Sequence, residues 1–226
     1  MNLLALESST RRLSVALWRD GMLSERAADI PNGGSGLLLP WVVELLAEAD
    51  LLLADVDGIA FGAGPGGFTG LRLSCGVAQG LAFGLDRPVL AVPTLEALAL
   101  ACGAEKVFAC LDARMNEVYC AAYIVRKGMP ETVMGPLCVS PATVSAPPGS
   151  GWLGCGDGFA AYPQLLGPAF AGVRADLWPT AAAVARVAAP IFARGGGVDA
   201  ALAAPLYVRN KVALTTAERI ARGGLK

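Results

Sequence analysis

The sequence predicts an α/β protein of two similar lobes that meet at a cleft. Strand patterns alternate with helix patterns, the opening pattern returns in the second half, and the two copies lie about a hundred residues apart, the size of a small domain. Each copy opens with an apolar strand, an acidic residue, a few polar residues and a second strand. The acids are Glu7 and Asp112. Because equivalent strand ends of a duplicated fold point inward, we expect these two side chains to face each other across the cleft.

The first copy has the predicted order βββαβαβα. The turn Asp20-Gly21 is typical of a tight hairpin between the second and third strands. Apolar residues at helical spacing then predict a first helix that tolerates Pro40 near its start, and Thr94 is predicted to cap the last helix. The predicted spans are residues 2–6, 13–18 and 22–28 for three strands, then 36–49, 58–61, 69–84 and 88–92, with the last helix beginning at residue 94.

The second copy repeats this order more loosely. Strands are predicted at residues 106–111 and 118–125, a turn through Lys127 and Gly128 leads into a third strand, and a Pro/Gly/Ser-rich stretch follows. A further strand ends at residues 154–156, and a helix spans residues 179–193 with Pro179 as its first residue. We predict an N-terminal lobe of residues 1–103 and a C-terminal lobe with a C-terminal tail, residues 104–226.

The composition is that of a globular protein. Apolar residues make up 54% of the 226 residues, and the mean hydropathy is +0.53. No apolar run reaches the roughly 20 residues that a bilayer requires, and no basic region precedes the first apolar run as in a secretory signal. We expect a cytoplasmic protein that does not contact the membrane.

Cysteine and histidine limit the chemistry available to the chain. Six cysteines stand singly in apolar surroundings, as buried reduced thiols do, and the chain contains no histidine. Ser-His-Asp catalysis, Cys-His catalysis and histidine-based metal sites are therefore excluded. Carboxylate, lysine, tyrosine and hydroxyl groups remain available for chemistry, and we predict no metal site.

The charge gives no sign of a nucleic-acid binder. Basic residues number 18 and acidic residues 19, for a net charge of −1 and a pI of about 5.5, without a long block of either sign. Proteins that hold nucleic acid unaided usually present a basic face, because phosphate contacts supply most of the affinity.

A glycine-rich loop matches a nucleotide-binding pattern. The segment Gly62-Ala63-Gly64-Pro65-Gly66-Gly67 fits G-x-G-x-x-G between a predicted strand and helix, and Asp86 follows about 20 residues on, which raises a dinucleotide-binding enzyme as an alternative. Asp86 precedes the next strand rather than ending it, and Pro65 lacks the N–H that a phosphate cradle uses. No Gly-Lys-Ser/Thr motif occurs.

The same segment resembles the signature of the TsaB family. GAGPGGFTGLRLSCGVAQGLAFGL, residues 62–85, is similar to the glycine-proline-glycine-small-Phe-Thr-Gly loop and the Arg-bearing helix of that family, with Phe68-Thr69-Gly70-Leu71-Arg72 matching residue by residue. LALESST at the start, LDARMNEVY at residues 111–119 and PLYVRNKVA at residues 205–213 agree in the same order. The resemblance spans nearly the whole chain.

The resemblance implies an actin-like (ASKHA, ribonuclease H-like) fold and a role in making threonylcarbamoyladenosine in tRNA. In that pathway a TsaC-type synthase makes threonylcarbamoyl-adenylate, TsaD transfers the group, TsaE hydrolyses ATP, and TsaB is the paralogous, non-catalytic partner of TsaD. The implied partners are thus a TsaD-type transferase and a TsaE-type ATPase, with a homodimer when the chain is alone and tRNA reached only through the complex. Many members carry a histidine near residues 33–35, where this sequence has Gly-Gly-Ser.

Nucleotide binding by the chain itself is a weaker expectation. Active members of the fold use an Asp-x-Gly turn in each lobe, whereas these positions here read Glu7-Ser8-Ser9 and Asp112-Ala113-Arg114. Glu7 and Asp112 stay candidates for holding a hydrated Mg²⁺, against the alternative that they cap turns or pair with neighbouring arginines. We predict no cofactor, with ATP or ADP and Mg²⁺ present only in a shared complex. The competing functional class is an ATP-dependent phosphotransferase of the same fold.

The second predicted helix carries Gly76, Gly80 and Gly84 at fourfold spacing, each costing about 1 kcal/mol against Ala in a helix interior. Such a stripe permits close approach either by another helix or by the lobe's own sheet. In the resembled family this helix and the one before it meet TsaD or a second copy, which favours an interface. The predicted interface residues are Phe68, Thr69, Leu71, Arg72, Leu73, Gly76, Val77, Gly80 and Leu81.

Overall fold

The computed structural model describes residues 1–30 and 34–209 and contains two five-stranded sheets. Residues 31–33 and 210–226, which include Gly33 and the end of the PLYVRNKVA segment, lie outside the described residues. The strands are β1 Asn2–Glu7, β2 Arg12–Arg19, β3 Met22–Asp29, β4 Gly58–Gly64, β5 Val89–Pro93, β6 Lys106–Arg114, β7 Glu117–Arg126, β8 Met129–Val139, β9 Leu153–Cys155 and β10 Gly172–Arg174. The α-helices are α1 Ser35–Glu48, α2 Phe68–Leu85, α3 Thr94–Cys102, α4 Gly158–Ala161 and α5 Ala181–Phe192.

The predicted duplication is confirmed by the topology of the sheets. The first sheet has the order β3-β2-β1-β4-β5, and the second has the equivalent order β8-β7-β6-β9-β10. In each sheet the first three strands form an antiparallel meander, while the fourth and fifth run parallel to the first. This is the duplicated ribonuclease H-like pattern of the actin-like (ASKHA) fold. The second copy is reduced, because an irregular segment replaces its first helix and the short α4 stands where the first copy has α2.

Two helices lie between the sheets. The helix α5 follows the second sheet in sequence but packs on β1 and β2 of the first, and α3 packs on β6 and β7 of the second. Small side chains from the first sheet, including Ala5, Ala16 and Ala60, allow the alanine-rich α5 to approach closely. The N-terminal N–H groups of α5 are held by the first lobe, because Ala181 donates to Ser14 Oγ at 2.8 Å and Ala182 to Glu25 Oε1 at 2.8 Å. The predicted boundary at residue 103 falls at the end of α3 and stays a prediction.

The remaining helices cover the outer faces. The apolar sides of α1 and α2 pack on the first sheet around Leu4, Leu6 and Phe61, which are fully buried. A second aromatic cluster, with Phe108, Trp152 and Phe159, covers the outer face of the second sheet. The cysteine prediction is confirmed, since all six thiols are free and five of them are buried. Among residues 1–30 and 34–209, no helix is both long enough and apolar enough to cross a bilayer.

One predicted helix cap and one predicted helix start were wrong. The helix α3 begins at Thr94 as predicted, but Thr94 does not cap it. The N-cap of α3 is Pro93, and the hydroxyl of Thr94 instead accepts the backbone N–H of Gly64 at 3.0 Å. The N-cap of α5 is Thr180, whose hydroxyl accepts the N–H of Ala183 at 3.1 Å, so Pro179 lies outside the helix. The short elements α4 and β10 were not predicted, because elements of three or four residues carry almost no periodic signal. The hairpin at Asp20-Gly21 is confirmed, with both residues at positive φ.

Candidate functional site: an interlobe cleft and an exposed helix face

A cleft of about 960 Å³ opens between the two lobes. The turn after β1, the glycine loop (residues 62–67), the start of α2, the β6–β7 turn and the chain from Leu206 to Arg209 line it. Trp178, on the link between β10 and α5, forms part of its wall, with the Arg11 guanidinium 4.8 Å from the centre of its ring. In the part of the chain that the structure describes, no three Asp, Glu or Cys side chains come together as metal ligands.

Glu7 lies beneath the cleft and not on its wall. Its side chain is fully buried, and Oε1 accepts the Ser9 backbone N–H at 2.6 Å. Its Oε2 fills the space left by Gly62, where a Cβ would come within 1.9 Å, and has no hydrogen-bond partner among the described residues. Burial raises the pKa of Glu7 from 4.5 to about 6, although hydrogen bonds from Ser9 and Ser8 oppose part of that rise.

Asp112 does line the cleft, and its carboxylate is engaged by its own lobe. Oδ1 accepts the Arg114 backbone N–H at 2.8 Å and the Tyr162 hydroxyl at 3.2 Å, and Oδ2 pairs with the Arg114 guanidinium at 3.1 Å. The Asp112 N–H donates to Asp157 Oδ1 at 3.0 Å, and burial raises the pKa of Asp157. The expectation that Glu7 and Asp112 face each other is therefore wrong for Glu7, which turns toward the neighbouring strand β4. The competing prediction, that these acids cap turns or pair with an arginine, is correct.

The glycine loop packs against the turn after β1. The Gly67 N–H donates to the Ser9 carbonyl at 2.6 Å, and a Cβ at Gly66 would lie 2.6 Å from the same oxygen. A Cβ at Gly70, in the first turn of α2, would lie 1.8 Å from the Ser8 carbonyl. The Gly64 N–H is held by Thr94. These glycines thus serve close packing of backbone on backbone, and two amides that a phosphate cradle would use are already bonded.

The glycine stripe of α2 faces outward. A Cβ built at Gly76, Gly80 or Gly84 would meet no heavy atom of the described residues within 4 Å. The lobe's own sheet therefore does not explain the stripe, which resolves the alternative left open by the sequence. Its flanking side chains Leu73, Val77 and Leu81 are half-buried and pack against the core of the first lobe.

The other predicted interface residues divide by exposure. Phe68, Thr69 and Arg72 are exposed, and the helical spacing of Thr69 and Arg72 places these two on the same side of α2 as the glycines. Leu71 is only 2% exposed and lies against Gly64, so its assignment to a contact surface is not supported by its position. We call the exposed set Thr69, Arg72, Gly76, Gly80 and Gly84 the α2 face.

Sequence reasoning missed an aromatic residue at the end of the α2 face. Tyr207 packs its ring 5.9 Å from that of Phe68, and its hydroxyl accepts Arg72 Nε at 3.2 Å. The Arg72 guanidinium in turn lies 3.9 Å from the centre of the Phe68 ring. Tyr207 stands in the PLYVRNKVA segment, so the motif marked the region, but only the fold brings it to α2. Residues 210–213 of that motif lie outside the described residues.

Further apolar side chains are exposed on the helices that cover the outer side of the first sheet. Leu39 and Val43 project from α1, which lies on the same side of the first sheet, and Phe83 near the end of α2 is 82% exposed. Clusters of exposed apolar side chains commonly mark sites of protein association.

Comparisons with known proteins give consistent results. The family model described as TsaD, tRNA N6-adenosine threonylcarbamoyltransferase, matches residues 35–191. The chain is similar to the tRNA threonylcarbamoyladenosine biosynthesis protein TsaB of Escherichia coli, with 37% identity over 94% of this chain and 96% of that protein. The TsaB of Haemophilus influenzae is 34% identical over 94% of this chain and 95% of its own length.

Solved structures agree with the sequence comparison. The crystal structure of a Pseudomonas aeruginosa protein with similarity to peptidase YeaZ superimposes with a TM-score of 0.88 at 41% identity, covering 92% of this chain and 99% of the other. A structure of YeaZ from the same organism gives a TM-score of 0.86 at 42% identity, covering 91% and 99%.

Proposed function

Because the chain belongs to the TsaB family of tRNA threonylcarbamoyladenosine biosynthesis proteins, we propose that it acts in that pathway as the non-catalytic partner of a TsaD-type transferase. In this proposal the protein works in the cytoplasm, forms a homodimer when alone, and reaches tRNA only through the complex. A TsaE-type ATPase joins the complex, and any ATP or ADP with Mg²⁺ is held there jointly.

The observation that carries the partner role is the exposure of the α2 face. Three glycines in one helix cost about 1 kcal/mol each, and no contact within the described lobe explains them. A partner helix lying on the stripe could approach closely and gain dispersion contacts along its length. Exposed Phe68 on α2, together with Leu39 and Val43 on α1, offers apolar area that such an association could bury.

The geometry of the cleft favours a non-catalytic role over a phosphotransferase or a dinucleotide-binding enzyme. The backbone of the turn after β1 packs against the glycine loop and occupies its Gly67 N–H. Glu7 lies below the cleft, and Asp112 is held by Arg114 and Tyr162. A phosphate would have to displace backbone contacts that the fold already makes. We therefore expect any nucleotide held in a shared complex to be bound without the Asp112 carboxylate.

The change Gly80→Leu tests the partner surface. The new side chain has open space around it, so the monomer should stay folded and gain about 0.5–1 kcal/mol from the improved helix propensity. The same side chain should separate helices packed on the stripe and weaken both the homodimer and the complex with the transferase. Light scattering after size-exclusion chromatography measures association, and urea denaturation measures monomer stability.

Gly167→Leu is the matched control, since Gly167 also has open space around it but lies in a loop of the second lobe. It should leave association unchanged.

If one patch serves both partners, adding the transferase should dissolve the homodimer and give a mixed complex. Undiminished association of Gly80→Leu would show that the α2 face is not the partner surface.

A further inference from the structure

A strap of seven residues, 203–209, connects the two lobes along one side of the cleft. It is fixed to the first lobe at two points. The Ala203 carbonyl accepts Gln79 Nε2 at 3.0 Å, and the Leu206 N–H donates to the Ala63 carbonyl at 2.7 Å. The strap then leaves the first lobe and ends on the second.

Arg209 makes the attachment to the second lobe. Its Nη2 donates to the Ala113 carbonyl at 2.7 Å and to the Arg114 carbonyl at 3.4 Å, and pairs with Glu117 Oε2 at 2.7 Å. The guanidinium also lies 5.8 Å from the centre of the Tyr119 ring. The Arg209 side chain is only 15% exposed, whereas that of its partner Glu117 is 38% exposed, so the guanidinium is the more shielded end of this attachment.

The β6–β7 turn that receives Arg209 has an uncommon backbone. Arg114, Met115 and Asn116 have φ values of 59°, 56° and 60°, three consecutive left-handed residues without a glycine. This conformation persists only where the surroundings stabilise it. The guanidinium bonds the carbonyls at the start of the turn and the carboxylate just after it, so turn and strap fix each other.

Tyr207 lies between these attachments and belongs to two surfaces. It lines the cleft, and it also contacts Phe68 and Arg72 at the start of the α2 face. Phe68 and Tyr207 are each about half exposed, so the corner formed by Phe68, Arg72 and Tyr207 is accessible to a partner. The position of Tyr207 is set from one side by Leu206 and from the other by Arg209.

We propose that the corner Phe68–Arg72–Tyr207 is part of the transferase contact and that Arg209 is its positioning residue. By tying the strap to the second lobe, Arg209 keeps Tyr207 against α2 in the orientation that the partner binds. This inference rests on the proposed function, and it adds a residue outside α2 whose effect on binding passes through Tyr207.

A double-mutant cycle tests this inference. The affinity of the full-length chain for a TsaD-type transferase is measured by calorimetry for the unchanged protein, Arg209→Ala, Tyr207→Ala and the double variant. We expect Arg209→Ala to weaken binding about tenfold, and to have almost no further effect once Tyr207 is removed. Hydrogen exchange of the Leu206 amide, which donates to the Ala63 carbonyl, should be faster in Arg209→Ala, as expected of a released strap.

Two further variants control the cycle. Glu117→Gln weakens the same attachment while keeping Arg209, and should also reduce the affinity for the transferase. It replaces Arg209→Ala as the test variant if Arg209→Ala does not fold. Arg126→Ala removes an exposed arginine from the other end of β7 and should leave the affinity for the transferase unchanged.

Full affinity of a folded Arg209→Ala, or of Glu117→Gln if Arg209→Ala does not fold, would overturn the inference. An Arg209 effect that persists in the Tyr207→Ala background would also overturn it, because Arg209 would then contact the partner directly. Failure of the unchanged protein to bind any transferase would instead refute the proposed function, and would be seen before any variant is made.

Discussion

The buried carboxyl of Glu7 predicts how the stability of this protein depends on pH. Its pKa is raised from 4.5 to about 6 by burial, with no cationic group among the causes of the shift. Well below pH 4.5 the carboxyl is protonated in both the folded and the unfolded chain, so its burial does not lower the free energy of unfolding. Between pH 4.5 and about 6 the unfolded chain ionises while the folded chain keeps its proton, so stability is lost over this interval as the pH rises, and the loss is complete once the pH has passed the folded pKa. A rise from 4.5 to about 6 corresponds to a loss of about 2 kcal/mol in the free energy of unfolding.

Glu7→Gln should remove this loss. The amide oxygen can still accept the Ser9 N–H, and the shape of the side chain is kept, so the tight fit against Gly62 is preserved. We expect the variant to exceed the unchanged protein by about 2 kcal/mol at pH 7.5 and to match it near pH 4. The difference should develop between pH 4.5 and pH 6.

Urea denaturation of both proteins at half-unit pH intervals measures this difference, and taking the difference removes the titrations that both chains share. Glu131→Gln, an exposed carboxylate on β8, is the control and should give a difference near zero at every pH. A Glu7→Gln difference that does not change with pH, or a variant that is less stable at pH 7.5, would refute the assignment of Glu7 as an uncompensated buried acid.

The remaining predictions concern two glycines of α2 and the hydrogen bond accepted by Thr94. Each is tested by measuring the free energy of unfolding of the variant. Gly70→Ala should destabilise the protein by about 1–3 kcal/mol, because its Cβ would lie 1.8 Å from the Ser8 carbonyl. Gly76→Ala, on the same helix but in open space, should instead stabilise it by about 0.5–1 kcal/mol, and equal effects of the two changes would contradict the packing described. Thr94→Val should cost about 1–3 kcal/mol, since the Gly64 N–H would lose its acceptor in a buried site, and an unchanged stability would show that this bond is not needed.

The sequence was sufficient for the architecture because the fold repeats. The apolar strands before Glu7 and Asp112 carry the same pattern, and the sheets they open have the same strand order. Predictions of local hydrogen bonds, such as helix caps, were less reliable where a tertiary contact competes for the same side chain. Thr94 looks like a helix cap in sequence, yet the N–H of Gly64, from another strand, takes its hydroxyl.

The candidate site was only partly predictable for the same reason. The glycine motif indicated close approach correctly, but the group that approaches is the backbone of Ser8 and Ser9, which no local pattern reveals. The fourfold stripe was visible in the sequence, whereas the side of α2 that it occupies required the packed lobe. Tyr207 and Arg209 reach the site from a distant segment, so spacing gave no signal for their contacts with α2 and the β6–β7 turn.

The most direct test of a required, non-catalytic partner role is reconstitution of tRNA threonylcarbamoylation with purified TsaC-type, TsaD-type and TsaE-type proteins. Incorporation of labelled threonine into tRNA is measured without this chain, with it, and with Asp112→Ala. We expect incorporation to require the chain and to proceed at the same rate with Asp112→Ala, because that carboxylate is engaged by its own turn through Arg114. Full incorporation without the chain would contradict the claim that the reaction requires it. Loss of incorporation with a folded Asp112→Ala that still binds the transferase would contradict the claim that the chain is a non-catalytic partner.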